Sequence, residues 1–190
     1  MAHHNAVSSN AKSKLGGAAY SPRYVTNRKS RGGRTLKERQ NQRARREYAR
    51  LCSGMAGQDC WFITITCGRY LDLNIRKDVW HSLRTRLRQQ WPTAEAWTAT
   101  EWSQRRGVHL HAVVKGTPGL TLDWVDHLLG LRQDGAAAFV EQVRPDTESV
   151  LARYLTKQFA QPQHIQHWPR GFHPFSATRG WCTSSQSRKQ

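Results

Sequence analysis

The stretch Gly107-Val108-His109-Leu110-His111-Ala112-Val113-Val114 has apolar residues at every second position, and this period of two predicts a β-strand. The even-numbered residues from Val108 to Val114 share one face, which is expected to pack on a core. His109 and His111 lie on the opposite face and project side by side. That arrangement suits one divalent metal ion held by both imidazoles. The same spacing is also typical of two polar residues on the solvated face of a half-buried strand.

Hydrophobic patterns on either side of this strand predict a compact α+β domain. Apolar residues recur at helical spacing in three segments and alternate in the others. The predicted order is strand 61–67, helix 74–90, strand 96–103, strand 107–114, helix 122–131, strand 136–143 and helix 147–159. This order is that of a ferredoxin-like or RRM-like central antiparallel sheet. We expect the helices to pack on one face of the sheet and the active site, with both histidines, to lie on the open face.

The charge of the chain is strongly positive, with 30 Lys and Arg against 13 Asp and Glu and a formal net charge of +17. This imbalance favours nucleic acid as the partner. A membrane is not expected as a partner, because no apolar run is long enough to span one and no basic segment carries a bulky apolar face. No signal peptide is evident, so the sequence predicts a cytoplasmic protein. The absence of a C-x-x-C pair predicts free thiols for the four cysteines, which are Cys52, Cys60, Cys67 and Cys182.

The N-terminal part of the chain is especially basic, since residues 1–50 contain 13 Lys and Arg and only two acids. Residues 1–58 are predicted to form a basic, largely disordered arm with a helix near 35–53. Residues 59–181 are predicted to form the compact domain, and residues 182–190 a frayed tail. The arm is interpreted as a grip on DNA phosphates, with Arg43, Arg45 and Arg46 as candidate contacts. A solvated basic tail is the alternative.

A carboxylate eight residues before His109 is the candidate third metal ligand. Glu101 lies in strand 96–103, and a turn at residues 104–107 would fold it back toward the imidazoles. Two histidines and one carboxylate leave open positions for a phosphate oxygen and water, as a catalytic metal requires. The alternative is an exposed strand-surface charge paired with Arg105 or Arg106.

The last predicted helix contains Tyr154 and Lys157, which are three residues apart and so share a face. A phenol is a poor nucleophile at neutral pH, because its pKa is about 10. A nearby ammonium would favour the phenolate and offset the charge of a phosphate, so the pair is a candidate nucleophile and helper. The alternative is a tyrosine at the edge of the core and a solvated lysine.

Taken in order, these motifs resemble the HUH endonuclease superfamily over about residues 60–181. The motifs are a strand ending in Thr64-Ile65-Thr66, Glu101 before His109-Leu110-His111, and the Tyr154-x-x-Lys157 helix. Within that superfamily the chain is similar to single-tyrosine rolling-circle replication initiators of plasmids and phages. Ser176-Ala-Thr-Arg-Gly-Trp181 is also similar to an ending seen in bacterial plasmid and phage initiators. The second tyrosine of some phage initiators is absent, because Gln158 occupies that position, and no P-loop is present.

The resemblance implies an enzyme that nicks and joins single-stranded DNA, exposed at an origin hairpin with duplex DNA nearby. It implies Mn²⁺ or Mg²⁺ held by His109, His111 and Glu101, and attack by Tyr154 that leaves a 5′-phosphotyrosine and a free 3′-OH. Lys157 would then steady the phosphate or the leaving group. A host helicase and polymerase in a prokaryotic cytoplasm are the expected partners. The expected DNA-binding residues are Trp97, Arg153, Gln158 and Arg179, together with the arginines of the arm.

Two other functions fit the same motifs. One is a single-tyrosine transposase acting on single-stranded DNA, and the other is a non-catalytic domain that binds single-stranded nucleic acid. Trp97 has two interpretations, a stacking platform for a base or packing on the sheet surface. His164, His167 and His173 suggest a second metal site, but they lie in a proline-containing loop without an acidic neighbour, which favours surface or nucleic-acid contacts.

Overall fold

A five-stranded antiparallel sheet organises the chain, with the strand order β4-β1-β3-β2-β5. The computed structural model describes residues 35–66, 73–103, 107–129, 137–157 and 172–182. The helices are α1 (Leu36–Met55), α2 (Leu73–Gln90), α3 (Leu122–Leu129) and α4 (Glu148–Thr156). The strands are β1 (Cys60–Thr66), β2 (Glu95–Ser103), β3 (Gly107–Lys115), β4 (Ala137–Val143) and β5 (Phe175–Ala177). The predicted α+β class and β-α-β-β-α-β-α order of the compact part are confirmed.

The histidine strand, β3, is the central strand of the sheet. It pairs with β2 in a hairpin that places Glu101 directly opposite His109. On its other side it pairs with β1, where Thr66 is opposite His109 and Thr64 is opposite His111. Residues directly opposite each other in an antiparallel pair point to the same face. All five of these side chains therefore lie on one face of the sheet.

The other face of the sheet carries the first half of the hydrophobic core. The even-numbered residues of β3 are all buried there, as the alternation predicts. Helices α2 and α3 cover this face with one apolar stripe each. The fully buried residues of this core include Ile63, Ile65, Leu83, Leu87, Leu110, Ala112, Val114, Leu120 and Val125.

The face with the histidines is less open than predicted, because α1 and α4 cover part of it. They form a second core of residues that includes Leu51, Met55, Trp97, Val113, Ala152 and Trp181. Helix α1 is therefore part of the domain rather than of a separate arm. Its N-terminus is set by a capping box between Thr35 and Glu38, and its C-terminal half supplies the buried stripe. Residues 1–34 lie outside the described residues.

The segment after β5 fastens α1 to the sheet. Trp181 is fully buried, and its Nε1 donates to the carbonyl oxygen of Arg50 at 3.1 Å. The buried ammonium of Lys115 donates to the carbonyl oxygens of Gly54 and Trp181, at 3.1 and 3.0 Å. A Cβ at Gly180 would meet the carboxylate at the end of the Glu95 side chain, which would have to shift. The Arg-Gly-Trp ending thus has a structural role in this chain.

The described cysteines, Cys52, Cys60 and Cys182, are free thiols, in agreement with the sequence. Cys67 and the predicted tail after Cys182 lie outside the described residues. Burial raises the pKa of Cys60 to about 12, although Lys115 nearby acts in the opposite direction. None of the helices in the described ranges is long and apolar enough to cross a membrane.

Candidate active site

His109 and His111 stand side by side on β3, as their spacing predicts. Their rings are nearly parallel, with an interplanar angle of 9° and centroids 6.2 Å apart. Both side chains are buried, with 6% and 4% of their surfaces exposed, respectively. The strand itself fixes this arrangement, because residues two apart on one strand point to the same face. The interpretation as two solvated surface residues is therefore wrong.

Two threonines on β1 orient these rings. The Oγ1 of Thr64 lies 3.0 Å from Nδ1 of His111, and the Oγ1 of Thr66 lies 3.2 Å from Nδ1 of His109. With Nδ1 engaged on each ring, a metal ion would have to be bound through Nε2. Metal-ligating histidines are commonly held in this way by a partner on the other nitrogen. The sequence carried this signal, since Thr64 and Thr66 have the same period of two as the histidines.

Glu101 is the acceptor at the centre of the site. Its Oε2 lies 2.8 Å from Nε2 of His111. Burial raises the pKa of the Glu101 carboxyl, but the hydrogen bond and charge of His111, with the charges of Lys157 and His109, outweigh it. The net effect is a pKa below the ordinary value, which keeps the carboxylate ionised. The predicted proximity of Glu101 to the imidazole of His111 is confirmed, whereas Arg105 and Arg106 lie outside the described residues.

Tyr154 reaches the same carboxylate from α4. Its hydroxyl donates to Oε2 of Glu101 at 3.5 Å, and its ring meets that of His111 edge-on, with centroids 5.9 Å apart. The Nζ of Lys157 lies 3.9 Å from the centroid of the Tyr154 ring. Tyr154 is 40% exposed, so its hydroxyl is accessible to a substrate. The structure therefore brings together the two residues that the Tyr-x-x-Lys motif singles out.

These groups line a surface cleft of about 600 Å³. Its floor is the sheet, and Tyr154 contributes from α4. The lining consists of Phe62, Thr64, Thr66, Glu101, His109, His111, Ala137, Ala138, Phe139 and Tyr154. Phe62 stacks on His111 with ring centroids 5.7 Å apart, which helps to fix the ring. Phe139 is half exposed and was not singled out by the sequence.

The donor set suits Mn²⁺ or Mg²⁺ in type, because it offers imidazole nitrogens and a carboxylate oxygen. Across the residues that the structure describes, no three His, Cys, Asp or Glu side chains are already arranged as a metal-binding group. Glu101 is instead hydrogen-bonded directly to Nε2 of His111. Binding of one ion by both residues would replace the proton that they share. The residues fit such an ion after that exchange.

Trp97 is not a stacking platform for DNA. It lies on the histidine face, as expected, but it is fully buried beneath α1 and packs on Phe175 with ring centroids 5.2 Å apart. Its Nε1 donates to the carboxylate of Glu47 at 3.0 Å, so its one polar group is also satisfied. The second interpretation, packing on the sheet surface, is correct.

The arginines predicted to bind DNA lie on the surface outside the cleft lining. Arg153 is exposed on α4, Arg179 is exposed after β5, and Arg45 and Arg46 are exposed on α1. Arg43 is partly buried, and its Nη2 lies 3.0 Å from Nδ1 of His173. Gln158, His164 and His167 lie outside the described residues, so the structure gives no account of a second metal site there.

No family model matches this chain, and no curated protein matches it. Among solved structures, the chain is similar to the crystal structure of the hypothetical protein ORF119 from Sulfolobus islandicus rod-shaped virus 1. The two are 16% identical, the match covers 60% of this chain and 90% of that chain, and the TM-score is 0.44.

Proposed function

We propose that this protein nicks and rejoins single-stranded DNA, with Tyr154 as the nucleophile, in the manner of rolling-circle replication initiators of the HUH endonuclease superfamily. One observation carries the proposal. The Tyr154 hydroxyl, the Glu101 carboxylate and the His111 imidazole are contiguous, at 3.5 and 2.8 Å, in one surface cleft. A hydroxyl nucleophile beside an acceptor that is itself oriented by a third group is the usual arrangement for covalent catalysis.

In the proposed reaction, the Tyr154 oxygen forms a bond to phosphorus and the bond from phosphorus to the 3′-oxygen breaks. The products are a 5′-phosphotyrosine on the protein and a DNA end with a free 3′-OH. The phenol proton leaves Tyr154 to solvent and the departing 3′-oxygen takes up a proton from solvent, while Oε2 of Glu101 positions the hydroxyl by accepting its hydrogen bond. A 3′-OH reverses the step and joins the ends, so no external energy source is consumed.

Lys157 supports the nucleophile through its charge. Its ammonium lies over the Tyr154 ring at 3.9 Å, where it stabilises the phenolate relative to the phenol. The same charge offsets that of the phosphate as negative charge develops on its oxygens. His109, His111 and Glu101 would hold Mn²⁺ or Mg²⁺, which when bound supplies Lewis-acid polarisation of the scissile phosphate.

DNA is the proposed substrate because of the charge of the chain and the shape of the site. A net charge of +17 favours a polyanion, and exposed Arg45, Arg46, Arg153 and Arg179 are available to phosphates. The cleft lies on the sheet surface, where a single strand can enter with its bases unpaired. A host helicase and polymerase in a prokaryotic cytoplasm complete this proposal.

The test is whether a covalent adduct forms between the protein and DNA. The mechanism requires that the protein be joined to the 5′-phosphate of the fragment that contains the original 3′ end. The full chain is incubated with a randomised pool of single-stranded DNA and Mn²⁺, and the products are separated on a denaturing gel. A label at the 3′ end of the DNA is expected to become attached to the protein, because that fragment carries the 5′-phosphate. A label at the 5′ end is expected on a released fragment that ends in 3′-OH.

Two tyrosine variants complete the design. Tyr154→Phe should abolish the adduct, whereas Tyr48→Phe on α1 should retain it, since Tyr48 lies outside the cleft lining. Loss of the adduct with chelator is also expected. An adduct that survives Tyr154→Phe would disprove the mechanism, and tight DNA binding without any adduct would favour a non-catalytic binding domain.

A further inference from the structure

Phe139 lies on the same face of the sheet as the histidines, at the border of the site. On β4 it is paired with Thr64, which is in turn paired with His111 on β3. Because neighbouring strands lie about 4.8 Å apart, the backbone of Phe139 is about 10 Å from that of His111. Its side chain lines the cleft that also contains Tyr154. The Phe139 ring therefore lies two strands away from His111, whose ring contacts that of the proposed nucleophile, Tyr154.

The exposure of Phe139 distinguishes it from the other large aromatic residues on this face. It is 50% exposed, whereas Trp97 and Phe175 are buried under α1. Strand β4 is an edge of the sheet, and the preceding residue on the same face is Ala137, whose methyl group leaves the ring accessible. One exposed phenylalanine is ordinary on a protein surface. What needs an explanation is that Phe139 lines the same cleft as Glu101, His111 and Tyr154.

The cleft contains the apolar ring of Phe139 together with the polar and charged side chains of Glu101, His111 and Tyr154. A nucleotide has the complementary arrangement, with a flat base joined to a charged phosphate. Aromatic side chains stack on bases with little regard to sequence, because every base has a π face. A protein partner would need a wider apolar surface around Phe139. Exposed Leu122 lies on α3 at the opposite face, and exposed Val150 lies on α4 outside the cleft lining. The charge of +17 also favours a nucleic acid.

We infer that Phe139 stacks on a base of the bound DNA strand, next to the phosphate held at Tyr154. The inference rests on the proposed function for the identity of the phosphate site, and it adds how the strand is bound. The strand then crosses the sheet from the β4 edge, over β1, to the histidines on β3. Thr64, which orients His111, lies directly beneath that path.

Stacking can be separated from phosphate binding by using two ligands of equal charge. One is a short oligothymidylate, and the other is an abasic oligomer of the same length that keeps the sugars and phosphates. Dissociation constants are measured by fluorescence anisotropy in the full chain carrying Tyr154→Phe, with chelator present, so that no cleavage occurs. The variants added to this background are Phe139→Ala, Phe139→Leu, Phe139→Trp and the matched control Leu122→Ala.

Phe139→Ala and Phe139→Leu should each bind oligothymidylate about tenfold more weakly and bind the abasic oligomer unchanged. Phe139→Trp should keep the preference for bases, and Leu122→Ala should bind both ligands normally. Equal losses on both ligands, or no loss on either, would overturn the inference. An adduct without any base preference would refute stacking alone. A base preference that depends on Phe139 without any adduct would refute the proposed enzyme alone.

Discussion

Replacing Trp181 by alanine is expected to destabilise the domain severely. The indole is fully buried between α1 and the sheet, in the core that also holds Leu51 and Met55. Its Nε1 donates to the carbonyl oxygen of Arg50 at 3.1 Å, and this bond is lost with the side chain. The loss therefore combines a large cavity with one lost hydrogen bond to the Arg50 carbonyl.

The size of the effect follows from these two losses. A buried Trp→Ala change costs about 3–5 kcal/mol, and losing a hydrogen-bond partner adds about 1 kcal/mol. Since domains are typically stable by about 5–15 kcal/mol, the change removes a large part of the free energy of unfolding. Trp181→Phe keeps an aromatic ring and loses the N–H, so its cost is expected to be about 1–3 kcal/mol.

Urea unfolding followed by far-ultraviolet circular dichroism measures this directly. The midpoint should fall in the order wild type, Trp181→Phe, Trp181→Ala, with a similar slope. Trp124→Ala is the matched control, because Trp124 is only partly buried, on α3 against Trp91 at the other face. It should cost less than Trp181→Ala. A Trp181→Ala protein within about 1 kcal/mol of wild type would refute the role assigned to this residue.

Three further predictions concern the site, α1 and the thiols. Thr64→Val removes the hydroxyl 3.0 Å from Nδ1 of His111 and should weaken Mn²⁺ binding about 10–100-fold by isothermal titration calorimetry; unchanged affinity would count against the orienting role. Gly54→Ala places a Cβ against the Trp181 indole and should lower stability by about 1–3 kcal/mol in thermal unfolding, whereas the exposed neighbour change Ser53→Ala should not. Iodoacetamide should label exposed Cys182 in the native protein and reach Cys60, whose pKa is raised to about 12 by burial, only after unfolding; equal rates by mass spectrometry would contradict the buried position.

The geometry of the histidine hairpin could be predicted from sequence because it depends on local rules. Strand alternation sorts His109 and His111 onto one face, and a short turn fixes which residues of the partner strand lie opposite. Glu101 opposite His109 is a consequence of those two facts. The helix spacing of Tyr154 and Lys157 is equally local. That α4 brings Tyr154 to Glu101 depends on packing, which the sequence pattern does not specify.

The errors arose where a residue's environment is set by a distant part of the chain. Trp97 is on the predicted face, but its burial depends on α1, which lies about 50 residues away in sequence. Helix α1 is dominated by arginine, and its buried residues occur only in its C-terminal half, so its pattern is that of a solvated helix. Strand β5 has only three residues and exists through its pairing with β2. No local periodicity identifies so short a strand.

The bond from Trp181 to Arg50 joins residues 131 positions apart, near opposite ends of the described fold. During synthesis, α1 leaves the ribosome long before the residue that covers it has been made. The apolar stripe of α1 and the Trp97 face of the sheet therefore remain without their final partner until Trp181 has been synthesised. Contacts this distant in sequence form slowly. The nascent chain is thus expected to expose this second core until Trp181 has been synthesised, and to need protection from aggregation during that time.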